Sequence, residues 1–71
     1  MKCYKFGEYS VRFHKTGGVT ICDKTGEHEV GHWSKAFGEY HALLFDRERC
    51  ATGIYLQSVA RVLLQSWYTK I

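Results

Sequence analysis

The chain predicts an α+β domain: a three-stranded antiparallel meander, with a fourth strand as an alternative, followed by one or two helices packed on one face. Three observations predict it. Apolar residues alternate up to about Trp33 and then recur every three or four residues from about Phe37 to Trp67, the periodicities of strand and helix. The tripeptide Lys-Thr-Gly occurs twice, in His14-Lys15-Thr16-Gly17-Gly18 and Asp23-Lys24-Thr25-Gly26-Glu27. Each suits a type I turn closed by a glycine in the left-handed region, the G1-bulge hairpin. Finally, a broad apolar stripe runs through the last third of the chain, which contains no proline.

The two turns define strands at about 9 to 14, 18 to 23 and 27 to 33; a further short strand near 2 to 6 is an open alternative. Three-residue loops pair Phe13 with Val19, Val11 with Ile21, Arg12 with Thr20, and Ser10 with Cys22. Tyr9, Val11, Phe13, Val19 and Ile21 then share an apolar face that meets the helices, while Ser10, Arg12, His14, Thr20, Cys22, His28 and His32 share the other. The third strand breaks this pattern, because the register puts Val30 on the polar face and Glu29 on the apolar one. A bulge near Gly31 would repair it.

Ser34 suits the N-cap of a helix running through about Cys50, with Phe37, Tyr40, Leu43 and Leu44 on one side. Gly38 weakens that helix, and Tyr40 to Phe45 alternatively reads as a fourth strand. Thr52 and Gly53 make a break. From Ile54 to Tyr68, Leu56, Val59, Ala60, Leu63 and Trp67 form a core stripe, and Gln57, Arg61 and Gln65 line the solvent side.

All 71 residues are expected to form a single domain, too small to enclose a deep active site. Hydrophobic residues make up 45% and charged residues 24%, a globular composition. Cys3, Cys22 and Cys50 are far apart, with no Cys-x-x-Cys pair and no secretory apolar region before them, which predicts free thiols in a cytoplasmic setting. No apolar run approaches the ~18 residues of a membrane span. The formal net charge is +3, and all of the excess lies between Met1 and Lys24, where five basic residues meet only Glu8 and Asp23.

Catalytic and metal chemistry find no motif, so no enzyme, cofactor or metal is expected. In the predicted register His14 and His32 flank Gly18 two strand spacings apart, ~10 Å, too far to share an ion. Cys22 beside His28 supplies two ligands where a structural zinc takes four. That pair is also the only nucleophile and base brought together, and it lacks a recognisable catalytic setting.

Two functional classes remain. Eleven aromatics are many for so small a core, and rings left outside serve interfaces. This predicts a non-enzymatic protein that docks on a larger protein or complex as an inhibitor or adaptor, with Trp33, Tyr40 and Tyr68 as contacts and a homodimer as a further outcome. Short phage and mobile-element proteins, anti-defence proteins among them, have this make-up. The alternative is a nucleic-acid-binding module using Arg12, His14 and Lys15 of the basic first hairpin, since a small sheet can lie in the DNA major groove. The order of strands followed by a helix resembles the three-stranded integrase arm-binding domains over about residues 9 to 50, and that resemblance implies the same mode of binding.

Overall fold

Strands β1 (Lys2–Phe6), β2 (Tyr9–Phe13), β3 (Gly18–Asp23), β4 (Gly26–Ala36), β5 (Glu39–Leu44) and β6 (Cys50–Gly53) precede a single helix, α1 (Leu56–Thr69). The computed structural model describes residues 2–45 and 50–69. Every strand pairs antiparallel with its sequence neighbour, giving the sheet order β1-β2-β3-β4-β5-β6. The sheet curls into a half-barrel, and α1 lies in it, packed on β5 and β6 and reaching β1 at the other edge.

The core follows from alternation on the strands and from the 3.6-residue period of the helix. Val11 and Phe13 of β2, Val19 and Ile21 of β3, Val30 of β4, Ala42 and Leu44 of β5 and Ala51 of β6 point inward. They meet Leu56, Val59, Ala60, Leu63 and Leu64 of α1, whose spacings of three and four place them along one face. These side chains are all buried, and no buried polar residue is found among the described residues.

The expected three- or four-stranded meander with one or two helices is corrected to six strands and one helix among the described residues. Ser34 is not an N-cap but part of β4, and the expected helix from there to Cys50 is replaced by the β4–β5 hairpin and the start of β6; its residues 46–49 lie outside the described part. Tyr40, Ala42 and Leu44 face inward, while His41 and Leu43 face outward against Ser34 and His32. That period of two is hidden in sequence by the run Leu43-Leu44-Phe45, which reads equally well as a helical stripe. The likeness to three-stranded arm-binding domains goes with the same correction.

The first hairpin forms as its turn chemistry dictates. Phe13 pairs with Val19, Val11 with Ile21, Arg12 with Thr20 and Ser10 with Cys22. The Gly17 amide donates to the His14 carbonyl at 2.9 Å, with Gly17 at φ 101°. In the second hairpin Asp23 pairs with Gly26 across only Lys24 and Thr25, one residue tighter than expected. Glu27 therefore stands opposite Cys22, and His28 stands opposite Ile21.

The tighter turn, rather than a bulge, removes the expected conflict, because with His28 opposite Ile21 it already sends Glu29 outward and Val30 inward. The bulge follows at Val30 and resets the register beyond it. Thr20 pairs with Glu29 and Val19 with Gly31, so Val30 is the extra residue and its side chain turns into the core, 1% exposed. Its carbonyl accepts from the Phe45 amide at 3.0 Å. At Gly31 the backbone of β5 comes so close that a Cβ would stand 2.1 Å from the Leu43 carbonyl oxygen. Only glycine fits there.

Candidate interaction surface

One end of the half-barrel gathers the ends of β2, β4 and β6 and the starts of β1, β3, β5 and α1. At this end β4 outruns β3, whose last pair with it is Gly18 and His32. Beyond Trp33, whose amide donates to the Gly17 carbonyl at 2.8 Å, residues 34–36 pair only with β5. The hairpin turns over Phe37 and Gly38, between the paired Ala36 and Glu39. Both turn residues have positive φ, 53° and 77°, as a two-residue type I′ turn requires. Such turns favour Asn, Asp or Gly at the first position. Here a phenylalanine occupies it, 103% exposed.

Behind the tip lies a slot of about 250 Å³ lined by Phe13, Trp33, Tyr40 and Leu56 and by Lys2, Lys15 and Lys35. Sheet pairing builds it. Lys2 stands opposite Phe13, Trp33 opposite Ala42 and Lys35 opposite Tyr40, and Lys15 sits in the β2–β3 turn. The Trp33 ring meets Phe13 edge-on at 5.7 Å and Tyr40 at 6.1 Å. Its indole N–H donates to the His14 carbonyl at 2.8 Å, which fixes the ring and locks the β2–β3 turn onto β4. Lys35 Nζ lies 5.2 Å from the Tyr40 ring centre, a cation–π distance. Among the described residues none of the three lysines takes part in a salt bridge.

The sequence candidates are therefore redistributed. Trp33 and Tyr40 meet in the slot, both half-buried against the core. Tyr68 lies at the other end of α1, twelve residues or about 18 Å from Leu56, so the three rings do not form one patch. Arg12 faces outward and pairs with Glu27, and His14 Nε2 lies 2.8 Å from Thr20 Oγ1. Only Lys15 of the basic trio joins the slot. Sequence reasoning missed Lys2 and Lys35, which reach it through strand pairing alone. It also missed Phe37; Gly38 within an alternating pattern was the signal for that turn.

At the far end Asp23 organises a polar cluster. Its Oδ1 accepts from the Thr25 amide at 2.8 Å and from the Thr25 hydroxyl, its Oδ2 accepts from the Tyr68 hydroxyl at 2.7 Å, and His28 Nε2 lies 3.4 Å from Oδ1. The Thr25 hydroxyl bond, followed by that from Tyr68, holds the Asp23 carboxyl well below its ordinary range. Burial, then the Asp23 bond, pushes the Tyr68 phenol up to about 12. This arrangement closes the β3–β4 turn as an Asx-turn and anchors the helix end.

The expected Cys22 and His28 neighbours are separated. Cys22 lies on the outer face with Glu27, whereas His28 is on the inner face, its ring 6.4 Å from that of Trp67. The outer face of β4 to β6 carries His32, Ser34, His41, Leu43, Cys50 and Thr52 around a shallow concavity. Among the described residues no three His, Cys, Asp or Glu side chains converge as a metal site would need, and no helix is long and apolar enough to cross a membrane.

The class defined by this geometry is a six-stranded antiparallel half-barrel filled by one helix, with an aromatic and basic end. Comparison with protein-family models, with curated proteins and with solved structures finds no match.

Proposed function

We propose that the protein is a non-enzymatic interaction module that docks on a larger protein, as an inhibitor or adaptor, through its projecting β4–β5 hairpin. The observation that carries this reading is Phe37. Its ring is fully exposed and its backbone is left-handed, so it carries a steric cost of ~1 kcal/mol and forgoes the ~1.5–3 kcal/mol that burying such a side chain would contribute. With the ring fully exposed, no burial among the described residues offsets either. An aromatic ring at the tip of a rigid hairpin has the form of an anchor residue that fills a pocket on a partner. Ile54 and Tyr55 are exposed at the same end and extend the apolar area around it. Cys3, Cys22 and Cys50 are free, which supports a reducing, cytoplasmic setting.

The test is capture of proteins from nuclease-treated host extract on immobilised protein, comparing the natural chain with Phe37→Asn. Asparagine suits the turn, so the variant keeps the fold. Loss of specific bands with the variant is the expected result; an unchanged band pattern would remove Phe37 from the interface and with it this reading. Light scattering over a concentration series reads the remaining outcome, self-association through the same tip.

A further inference from the structure

We infer that the slot formed by Phe13, Trp33 and Tyr40 and bordered by Lys2, Lys15 and Lys35 receives an unpaired nucleobase whose adjoining phosphates lie against the lysines. This site stands on different residues from the Phe37 contact and does not depend on it. At about 250 Å³ it falls below the ~300–1,000 Å³ of pockets that enclose whole cofactors, which limits it to about one ring system. Its floor consists of aromatic and aliphatic surface, and the one indole N–H there is already bonded to the His14 carbonyl. Such a floor offers ring surface for stacking, and beyond the Tyr40 hydroxyl it holds no side-chain donor or acceptor at a fixed place for reading base edges. It therefore suits a base with an open π-face and tolerates sequence, as platforms for single strands do. A paired base hides its faces in the stack and does not fit.

The lysines decide the rest of the ligand. They supply three point charges without the fork geometry that orients a carboxylate or a guanine edge. They line the slot together with the rings, so that their flexible stems bring a phosphate adjoining the base within reach. An acidic peptide would satisfy the charge but has no flat ring for Trp33 and Tyr40. The shared chemistry is a base carrying phosphate, whether from a free nucleotide or from a single strand.

The test uses the indole N–H resonances of the ¹⁵N-labelled protein, because Trp33 lines the slot and Trp67 sits at the far end. The probes are decathymidylate, adenosine monophosphate and polyglutamate. At ~50 mM salt, where electrostatic contacts are least screened, decathymidylate or the nucleotide should move the Trp33 signal and leave that of Trp67 in place. Tighter binding of decathymidylate assigns the site to a strand, and equal or tighter binding of the nucleotide assigns it to a free ligand; both support the inference. Affinity for the strand should fall with salt at a logarithmic slope of about −2 for three contacted phosphates. Lys15→Glu combined with Lys35→Glu should weaken binding about tenfold or more, whereas Phe37→Asn should leave it unchanged and so separate this site from the docking contact. No movement of the Trp33 signal with either nucleotide probe, equal movement of both indoles, or equal response to polyglutamate would overturn the inference.

Discussion

The Tyr68 hydroxyl donates to Asp23 Oδ2 at 2.7 Å and so ties the last turn of α1 to the turn between β3 and β4. The same phenol ring lies 4.9 Å from that of Tyr9 on β2. One side chain near the helix end thus holds two hairpins, and its carboxylate partner is itself fixed by Thr25.

Stability should depend on pH at both ends of the scale. Asp23 titrates lower in the folded chain than the ordinary 3.8, so its contribution is present above that value and is lost as the pH falls below it. Tyr68 titrates higher than the ordinary 10.0, at about 12, so its contribution is complete below pH 10 and is lost as the pH rises toward 12. Melting temperatures measured from pH 2.5 to 11.5 should show both declines. Asp23→Asn should remove most of the acid decline, and Tyr68→Phe the alkaline one; flat profiles in the natural chain would contradict the pairing.

Leu63 is 1% exposed at the centre of the helix stripe. Leu63→Ala should cost about 2–5 kcal/mol in urea unfolding, through lost burial and the cavity left behind. A change below ~1 kcal/mol would mean that the site collapses around the smaller side chain or that the helix presents another face.

Gly31→Ala tests the close approach of β4 and β5. The added carbon would meet backbone atoms of Leu43 and Leu44 rather than a flexible side chain, so the strands must separate, at about 3 kcal/mol. Urea unfolding measures the cost. Near-neutral stability would show that the bulge moves freely.

Phe37→Asn should raise stability by about 1 kcal/mol, because asparagine tolerates the left-handed backbone better and no core contact is lost. Thermal unfolding of the purified chain checks this. A loss of stability would mean that the ring packs within the monomer.

The sheet was legible where turn chemistry speaks locally. His14 to Gly18 set the first register. The conflict at Val30 and Glu29 came from assuming a three-residue second turn; although a bulge does lie beside Gly31, the two-residue turn is what removes that conflict. The β4–β5 hairpin was legible only in part, as the alternative strand Tyr40 to Phe45, where β5 lies. Its turn was missed because a phenylalanine stands where asparagine is favoured, and Leu43-Leu44-Phe45 blurs the alternation. The tight link Lys24-Thr25 moved His28 to the inner face, away from Cys22. Of the interaction surface, Trp33, Tyr40 and Lys15 could be named as residues but not as neighbours. Their meeting with Lys2 and Lys35 needs the whole strand order across β1 to β5 and the curl of the sheet, and the sum of several successive pairings leaves no mark on local composition.

The strictly sequential order of the six strands also bears on how the chain finds its structure. Each hairpin closes a short loop at small entropic cost, and sheets assembled from such local pairings form faster than those that wait for distant strands. The packing of α1 is the exception, since its contacts with β1, with Tyr9 of β2 and with Asp23 join distant parts of the described chain. The meander should therefore assemble first, with its apolar face bare, and helix docking should complete the reaction. In stopped-flow kinetics a destabilising change in the first turn, such as Gly17→Val, should chiefly slow folding, whereas Leu63→Ala should chiefly hasten unfolding. Until the helix arrives that bare face is open to other chains, so association during refolding should rise with protein concentration and fall once docking is complete.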